Sequence, residues 1–286
     1  MHYQHRYHAG NFADVFKHVV LCALLAAQNR KDTPWGYLET HAGAGLYDLR
    51  EEAAERTGEF QDGIARLIEL RDAPGPLADL LRIVRESQDR PQALEWYPGS
   101  PLIARALARA HDRLVLCEKV PEIADQVRHL LRADARVAVH QRDGYEAHGL
   151  LPPREKRGLV LIDPPFEARD EFEQVRVFLG KALTRFAGGV YAVWYPMKNK
   201  HEAQRFVRSV AREFARPALD IRFDNGALRE GQMRECGMLI VNPPFQIERA
   251  LEPALRVLAR TLAQGAAAHF TMEEASATGK KPAGAK

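Results

Sequence analysis

The sequence predicts an α/β fold built on a mostly parallel sheet, and three observations carry that prediction. Short apolar runs of strand length alternate with segments of helical periodicity from residue 11 to residue 214. Several of these runs end in an acidic residue or a glycine turn, at the place where an open parallel sheet holds its ligands. The last two runs, 218–223 and 237–242, are joined by a polar loop from Asp224 to Glu235 with no helix between them. They are therefore expected to form a terminal antiparallel hairpin.

In chain order, residues 11–30 read as an amphipathic helix with Asn11 or Asp14 near its start. Residues 35–39 are the first strand, followed by Thr40-His41-Ala42-Gly43-Ala44-Gly45. The stretch 47–96 is too long for a simple crossover. It carries helical patterns at 60–70 and 77–87, divided by Asp72-Ala73-Pro74-Gly75-Pro76, and reads as a small inserted helical subdomain. The core then comprises 1–46 and 97–270. Its second strand, 113–117, ends at Glu118, and the third, 136–140, ends near Asp143-Gly144. The fourth, 159–162, ends at Asp163, and the fifth, 189–194, ends at Tyr195-Pro196. Helices are expected at 101–110, 121–132, 171–186 and 200–214. Residues 271–286, mostly Ala, Gly, Lys and Pro toward the end, lack an apolar period and are expected to be a disordered tail.

Bulk properties narrow the class. The 286 residues are 46% hydrophobic and 28% charged, which suits a soluble globular protein with a sizeable core. A net charge of +3 permits nucleic-acid binding only through a local basic face. Cys22, Cys117 and Cys236 have neither metal-site nor disulfide-framework spacing, and point to a reducing compartment. With no signal peptide and no membrane-length apolar stretch, a cytoplasmic protein without a metal is expected.

The most informative string is Asp163-Pro164-Pro165-Phe166, directly after a strand. Two prolines fix φ and restrict the preceding residue, so the turn is stiff. A stiff turn can hold the Asp163 carboxylate and the Pro164 carbonyl as acceptors for one amine, with Phe166 stacked on the ring that carries it. That arrangement suits methyl transfer to an exocyclic base amine. Asp-Pro-Pro is also an ordinary turn sequence, and the chain contains a second copy, Asn242-Pro243-Pro244-Phe245. Strand direction separates the two. Asp163 follows a parallel strand and belongs to the ligand edge, whereas Asn242 follows the returning strand of the hairpin and belongs to the opposite edge.

Other strand ends supply a cofactor site. Gly43 and Gly45 allow a tight turn and close backbone approach, Glu118 can meet two ribose hydroxyls, and Asp143-Gly144 can meet an adenine edge. Singly, these are a turn, a surface acid and a turn dipeptide. In this order they describe an S-adenosyl-L-methionine site facing a base-amine site. A nicotinamide cofactor fits less well, because Gly-x-Gly-x-x-Gly is absent.

These residues closely resemble the bacterial 23S rRNA adenine-N6 methyltransferases of the large-subunit J type, over roughly residues 1 to 270. The matching strings include Tyr3, His8-Ala9-Gly10-Asn11, Lys17-His18, the run from Thr40 to Gly45, Glu55-Arg56-Thr57-Gly58-Glu59, the run from Tyr97 to Arg105, Asp163-Pro164-Pro165 and Trp194-Tyr195-Pro196. Phe166 stands where the family commonly has Tyr, which keeps stacking and loses a hydroxyl. The resemblance implies a Rossmann-like class I methyltransferase core with an inserted helical subdomain. It also implies cofactor contacts at His18, His41, Ser100, Glu118, Asp143, Gly144 and Asp163, and an RNA role for Tyr3. It gives Lys17 with His18 a reason to meet the cofactor's methionine carboxylate.

The expected substrate is N6 of an adenine in 23S rRNA, protein-free or in an early assembly intermediate, with the base unstacked to enter. Tyr3, Arg6, Tyr195, Lys198, Lys200, Arg229 and Arg234 are the RNA-facing candidates. The alternatives are a guanine-N2 rRNA methyltransferase, a DNA adenine-N6 methyltransferase, and a non-catalytic RNA-binding protein on the same fold.

Overall fold

The computed structural model describes residues 7–275, apart from Pro91, residues 229–232 and the side chains of Ala53 and Glu55. Helix α1 (Phe12–Gln28) starts where its cap dictates: Asn11 Oδ1 accepts the N–H groups of Ala13 and Asp14, both at 2.9 Å. Of the two expected starts, Asn11 is therefore the cap and Asp14 lies in the first turn. Nearly every residue of α1 is buried, because the sheet covers one side and α3 (Gly75–Glu86), α4 (Ser100–Leu107) and α8 (Ile247–Thr261) cover the other.

Five strands of the main sheet run parallel: β1 (Gly36–Glu39), β4 (Arg113–Glu118), β5 (Val137–Gln141), β6 (Gly158–Ile162) and β7 (Val190–Pro196). The strands β8 (Ala218–Asp224), β9 (Glu235–Val241) and β10 (His269–Glu274) complete an eight-stranded sheet of order β10-β8-β9-β7-β6-β1-β4-β5. The chain moves from β1 outward through β4 and β5, then returns to the other side of β1 as β6. The switch point therefore lies beside β1, between β4 and β6. β9 inserts between β7 and β8, antiparallel to both; its pairing with β8 is the hairpin expected from the polar loop.

Helices cover both faces. One apolar cluster joins α1, α3, α4 and α8 to one face of the sheet. The other joins α6 (Glu171–Arg185) and α7 (Lys200–Phe214) to the opposite face. Helix α5 (Pro121–Leu131) connects β4 to β5.

The insertion is tied at its base by a two-stranded ribbon, β2 (Leu46–Asp48) against β3 (Trp96–Pro98). Leu77, Leu80, Leu81 and Val84 of α3 belong to the same apolar cluster as α1, so the insertion shares the core's interior. Besides α3 it holds α2 (Glu52–Thr57). The helix expected over 60–70 is instead two short 3-10 turns, Glu59–Asp62 and Ile64–Arg66, broken at Gly63. The break falls where the chain passes against Gly10, which is why the residue there is a glycine. A side chain at Gly63 would run into Gly10 O, and Ile64 N donates to that same carbonyl at 2.9 Å.

Two elements escape the sequence reading. Helix α8 carries Pro253 in its interior, which masks a strong amphipathic period. Strand β10 pairs antiparallel with β8 at the sheet edge. It runs through Glu274, so residues 271–274 are strand where a tail was expected; the rest of that expectation, residues 276–286, lies outside the described residues. Among the described residues, no helix is long and apolar enough to cross a membrane.

Candidate active site at the carboxyl edge of the sheet

β1, β4, β5 and β6 all deliver their carboxyl ends to one edge, and their loops touch there. Thr40 N and Oγ1 both donate to Leu161 O of β6, at 3.1 and 3.3 Å. Ala42 N donates to Cys117 O of β4 at 2.9 Å. Gly144, after β5, packs so tightly that a side chain there would strike Thr40 O. Gly43 takes a left-handed φ of 63°, and a side chain on it would strike the Tyr47 hydroxyl.

Glu118 ends β4 with its carboxylate pinned by backbone amides. Oε2 accepts from Gly43 N at 3.0 Å and Oε1 from Val120 N at 2.9 Å. Each oxygen keeps a further lone pair, which suits a vicinal diol. Asp143 accepts from Tyr145 N at 3.0 Å and pairs with Lys119 at 2.7 Å. Burial works to raise the Asp143 pKa, but Lys119 and the Tyr145 amide outweigh it and hold it below the usual carboxylate range. His41, between these loops, has Nδ1 2.8 Å from Thr40 Oγ1 and its ring 5.3 Å from Tyr145, edge-on. Burial lowers its pKa to about 4 against the pull of Asp163 and Asp143, so the ring is neutral at pH 7.

At the end of β6, Asp163 Oδ2 lies 2.5 Å from Lys17 Nζ, and the same ammonium reaches Asp14 at 2.9 Å. Burial alone would lower the Lys17 pKa; the two carboxylates reverse this and hold it well above the usual value. The sequence reading puts Lys17 against a cofactor carboxylate. In the structure that ammonium bonds Asp14 and Asp163, which uses two of its three hydrogens. His18 is buried against the ribbon, its ring 5.5 Å from Tyr97 and Nδ1 2.8 Å from the Tyr97 hydroxyl. Phe166 sits at a left-handed φ of 49°, its ring 4.9 Å from Phe172 and 5.9 Å from Trp194.

Glu39 is a buried acid at this edge that pattern reading passes over. It ends β1, is fully buried, and accepts hydrogen bonds from Ser100 Oγ and from the Tyr37 hydroxyl, the latter at 3.0 Å. Burial pushes its pKa up to about 8, against those two bonds and Lys17. Its signal was available: an acid closing the first strand, immediately before the glycine turn. Ser100 is the first residue of α4, with Gly99 at the cap position, and its hydroxyl donates to Glu39.

The RNA-facing candidates divide. Tyr3, Arg6 and Arg229 lie outside the described residues. Tyr195 is a correction: it is buried, donates to Asp220, and its ring occupies the space that Gly237 leaves open. Alternation along β7 turns it into the core, where base contact is excluded. Lys198 is exposed and lies close enough to His8 to oppose that ring's protonation. Lys200 is exposed and pairs with Glu235 at 2.5 Å, while Arg234 is held by Asp224 at 2.8 Å.

The second Pro-Pro-Phe turn is at the far edge, as strand direction requires. Val241 pairs with Tyr191 near the start of β7, so Asn242 lies beyond the amino end of that strand. Its Nδ2 donates to Ala187 O at 3.0 Å and Gly189 O at 2.8 Å.

With this geometry in place, comparison with known proteins agrees on one family. The family model described as "Ribosomal RNA large subunit methyltransferase D, RlmJ" matches residues 32–274. The chain is 38% identical to the ribosomal RNA large subunit methyltransferase J of Escherichia coli K12, covering 94% of this chain and 97% of that protein. It is 35% identical to the protein of the same name from Haemophilus influenzae, covering 95% and 97%. A crystal structure of a Legionella pneumophila protein, 34% identical, superposes with a TM-score of 0.87 over 94% of this chain and 99% of that one.

Proposed function

This chain belongs to the ribosomal RNA large subunit methyltransferase J family, and from that premise we propose that it methylates N6 of an adenine in 23S rRNA, using S-adenosyl-L-methionine. The observation that carries the reading is the Asp163 turn. A carboxylate on the ligand edge is oriented by a buried ammonium, beside a half-buried aromatic ring.

The donor set fits the cofactor. Glu118 offers amide-pinned oxygens to a ribose diol, and the loops bearing Gly43 and Gly144 approach too closely for any side chain. His41, Ser100, Asp143 and Asp163 complete the proposed contacts, with neutral His41 able to donate or accept. When bound, the cofactor supplies an electrophilic methyl group on a sulfonium.

The remaining chemistry belongs to the chain. The adenine N6 lone pair is delocalised into the ring and is a poor nucleophile. Hydrogen bonds from the amine to Asp163 and to the Pro164 carbonyl favour a more tetrahedral nitrogen with its lone pair free to react, and the proton that the methylated nitrogen must shed passes to Asp163 or to water. Lys17 fixes the rotamer of Asp163, so the acceptor is in place before the base arrives, which lowers the entropic cost of alignment. Phe166 holds the plane of the base. The proposed RNA track runs by Lys198 and Lys200 and includes Tyr3, Arg6, Arg229 and Arg234, with protein-free rRNA or an early assembly intermediate as the substrate.

The test is transfer of labelled methyl from S-adenosylmethionine to protein-free 23S rRNA, followed by digestion to nucleosides. N6-methyladenosine is the expected product. An N2-methylguanosine product, or transfer to DNA in preference, would replace the substrate assignment. Cofactor binding without any transfer would leave an RNA-binding protein.

A further inference from the structure

The loop that leaves the Asp163 turn is held by a strut from the neighbouring strand-end loop. Tyr145 directly follows Asp143-Gly144, and its hydroxyl donates to Glu171 Oε1 at 2.5 Å. The other oxygen, Glu171 Oε2, accepts from Ala168 N at 3.2 Å. Glu171 opens α6 and is only 6% exposed, although residues 167–170 just before it are exposed. That loop has little apolar anchorage of its own, so the carboxylate is a main point of attachment.

Both ends of the strut are firm. Tyr145 N is held by Asp143, and its ring lies edge-on to His41 at 5.3 Å and to Phe178 at 6.5 Å. Phe172, adjacent to Glu171, packs its ring 4.9 Å from Phe166 and 5.1 Å from Phe206. The first turn of α6 therefore touches the cofactor loop through Glu171 and the base-facing ring through Phe172.

We infer that Tyr145 and Glu171 are positioning residues for methyl transfer, fixing the catalytic turn relative to the loop that receives the cofactor's adenine. The inference rests on the function proposed above. Two loops must present two reactants to one another, so what matters is the position of each firm loop relative to the other. A buried carboxylate with one oxygen on each loop couples them, because removing either donor leaves a buried acceptor unsatisfied. Rate is sensitive to that relative position, since small misplacement of reacting groups is costly even when both still bind.

The test uses the full chain with Tyr145→Phe, which keeps the ring against His41 and Phe178 and removes only the donor. Glu171→Gln serves as the second variant, retaining size and hydrogen-bonding capacity. Steady-state methylation of protein-free 23S rRNA is measured with cofactor affinity by calorimetry. Tyr145→Phe is expected to lower kcat by about tenfold, with KM for the cofactor and its affinity nearly unchanged. Glu171→Gln is expected to lose less than Glu171→Ala, and the double variant Tyr145→Phe/Glu171→Ala no more than Glu171→Ala alone. An unchanged kcat in Tyr145→Phe overturns the inference. So does weakened cofactor binding with kcat intact, which would make Tyr145 a wall of the cofactor site. An inactive parent protein would overturn the proposed function and this inference with it; an active parent with unaffected variants overturns the inference alone.

Discussion

The two Pro-Pro-Phe turns share four consecutive positions in pattern and almost nothing in environment. At Asp163 the leading side chain is a carboxylate paired with the buried Lys17, and the closing ring of Phe166 packs on Phe172 and Trp194. At Asn242 the leading side chain is an amide bonded to two backbone carbonyls, and Phe245 is 80% exposed. Even the strained residue differs: Phe166 takes the left-handed φ in one turn and Asn242 in the other. The first turn orients a charge at the carboxyl edge of the sheet, the edge at which open parallel sheets bind ligands. The second fastens the end of β9 to the loop before β7. A motif acquires chemistry from the strand that delivers it, and the direction of that strand decides which edge it reaches.

The comparison can be broken at the closing ring. Phe166→Ala is expected to reduce kcat/KM for rRNA by roughly 1–3 kcal/mol, the worth of one base–aromatic stack. Phe245→Ala should leave it unchanged, since that ring touches little. Kinetics on both variants at a temperature where both are folded decide the matter; equal losses would erase the distinction. A second cut separates cofactor from base. Glu118→Ala should weaken S-adenosylmethionine binding by about 1.5–3 kcal/mol, the range for a hydrogen bond to a charged group. RNA affinity measured without cofactor should hold, and unaltered calorimetry would remove Glu118 from the site.

A third test concerns the basic side chains proposed for the RNA track. Replacing Lys198, Lys200, Arg229 and Arg234 together is expected to weaken RNA binding and flatten its salt dependence, without moving cofactor affinity. Lys198 should contribute more than Lys200 or Arg234, which already pair with Glu235 and Asp224. A salt slope equal to the parent's would send the RNA elsewhere on the surface.

The smallest effect expected is on stability. The Asn242 turn is held by neutral amide–carbonyl bonds, whereas the Asp163 edge contains Glu39 with its pKa raised to about 8. Between the ordinary carboxylate range and that value the folded state binds more protons than the unfolded one. Stability from this group is therefore fully present at low pH and lost as pH rises through about 8. Glu39→Gln should flatten that decline, and denaturant midpoints at pH 5 and pH 9 measure it. A parallel pH dependence in the two proteins would contradict the burial of an acid there.

Much of this was legible because it depends on short-range pattern. Glu118, Asp143 and Asp163 each close an apolar run, and the run's length and flanks locate the strand end. The terminal hairpin was legible because a polar loop without a helix leaves antiparallel pairing as the short connection. What was not legible depends on contacts between distant segments. Lys17 and Asp163 are 146 residues apart in sequence, and nothing in either neighbourhood announces the other. Tyr195 looked available because it follows Trp194 at a strand end, yet alternation along β7 buries it against Gly237. Pro253 concealed α8, and β10, partly exposed at the edge beside β8, had no clean alternation to mark it.

The most direct test of the account is methyl transfer to protein-free 23S rRNA by Asp163→Ala and Asn242→Ala, compared at equal folded concentration. The account predicts no measurable turnover for Asp163→Ala even at cofactor concentrations that saturate the variant. It predicts parental turnover for Asn242→Ala, which should instead unfold more readily because two carbonyls lose their donor. Equal loss of methyl transfer in both folded variants, or activity surviving in Asp163→Ala, would contradict it.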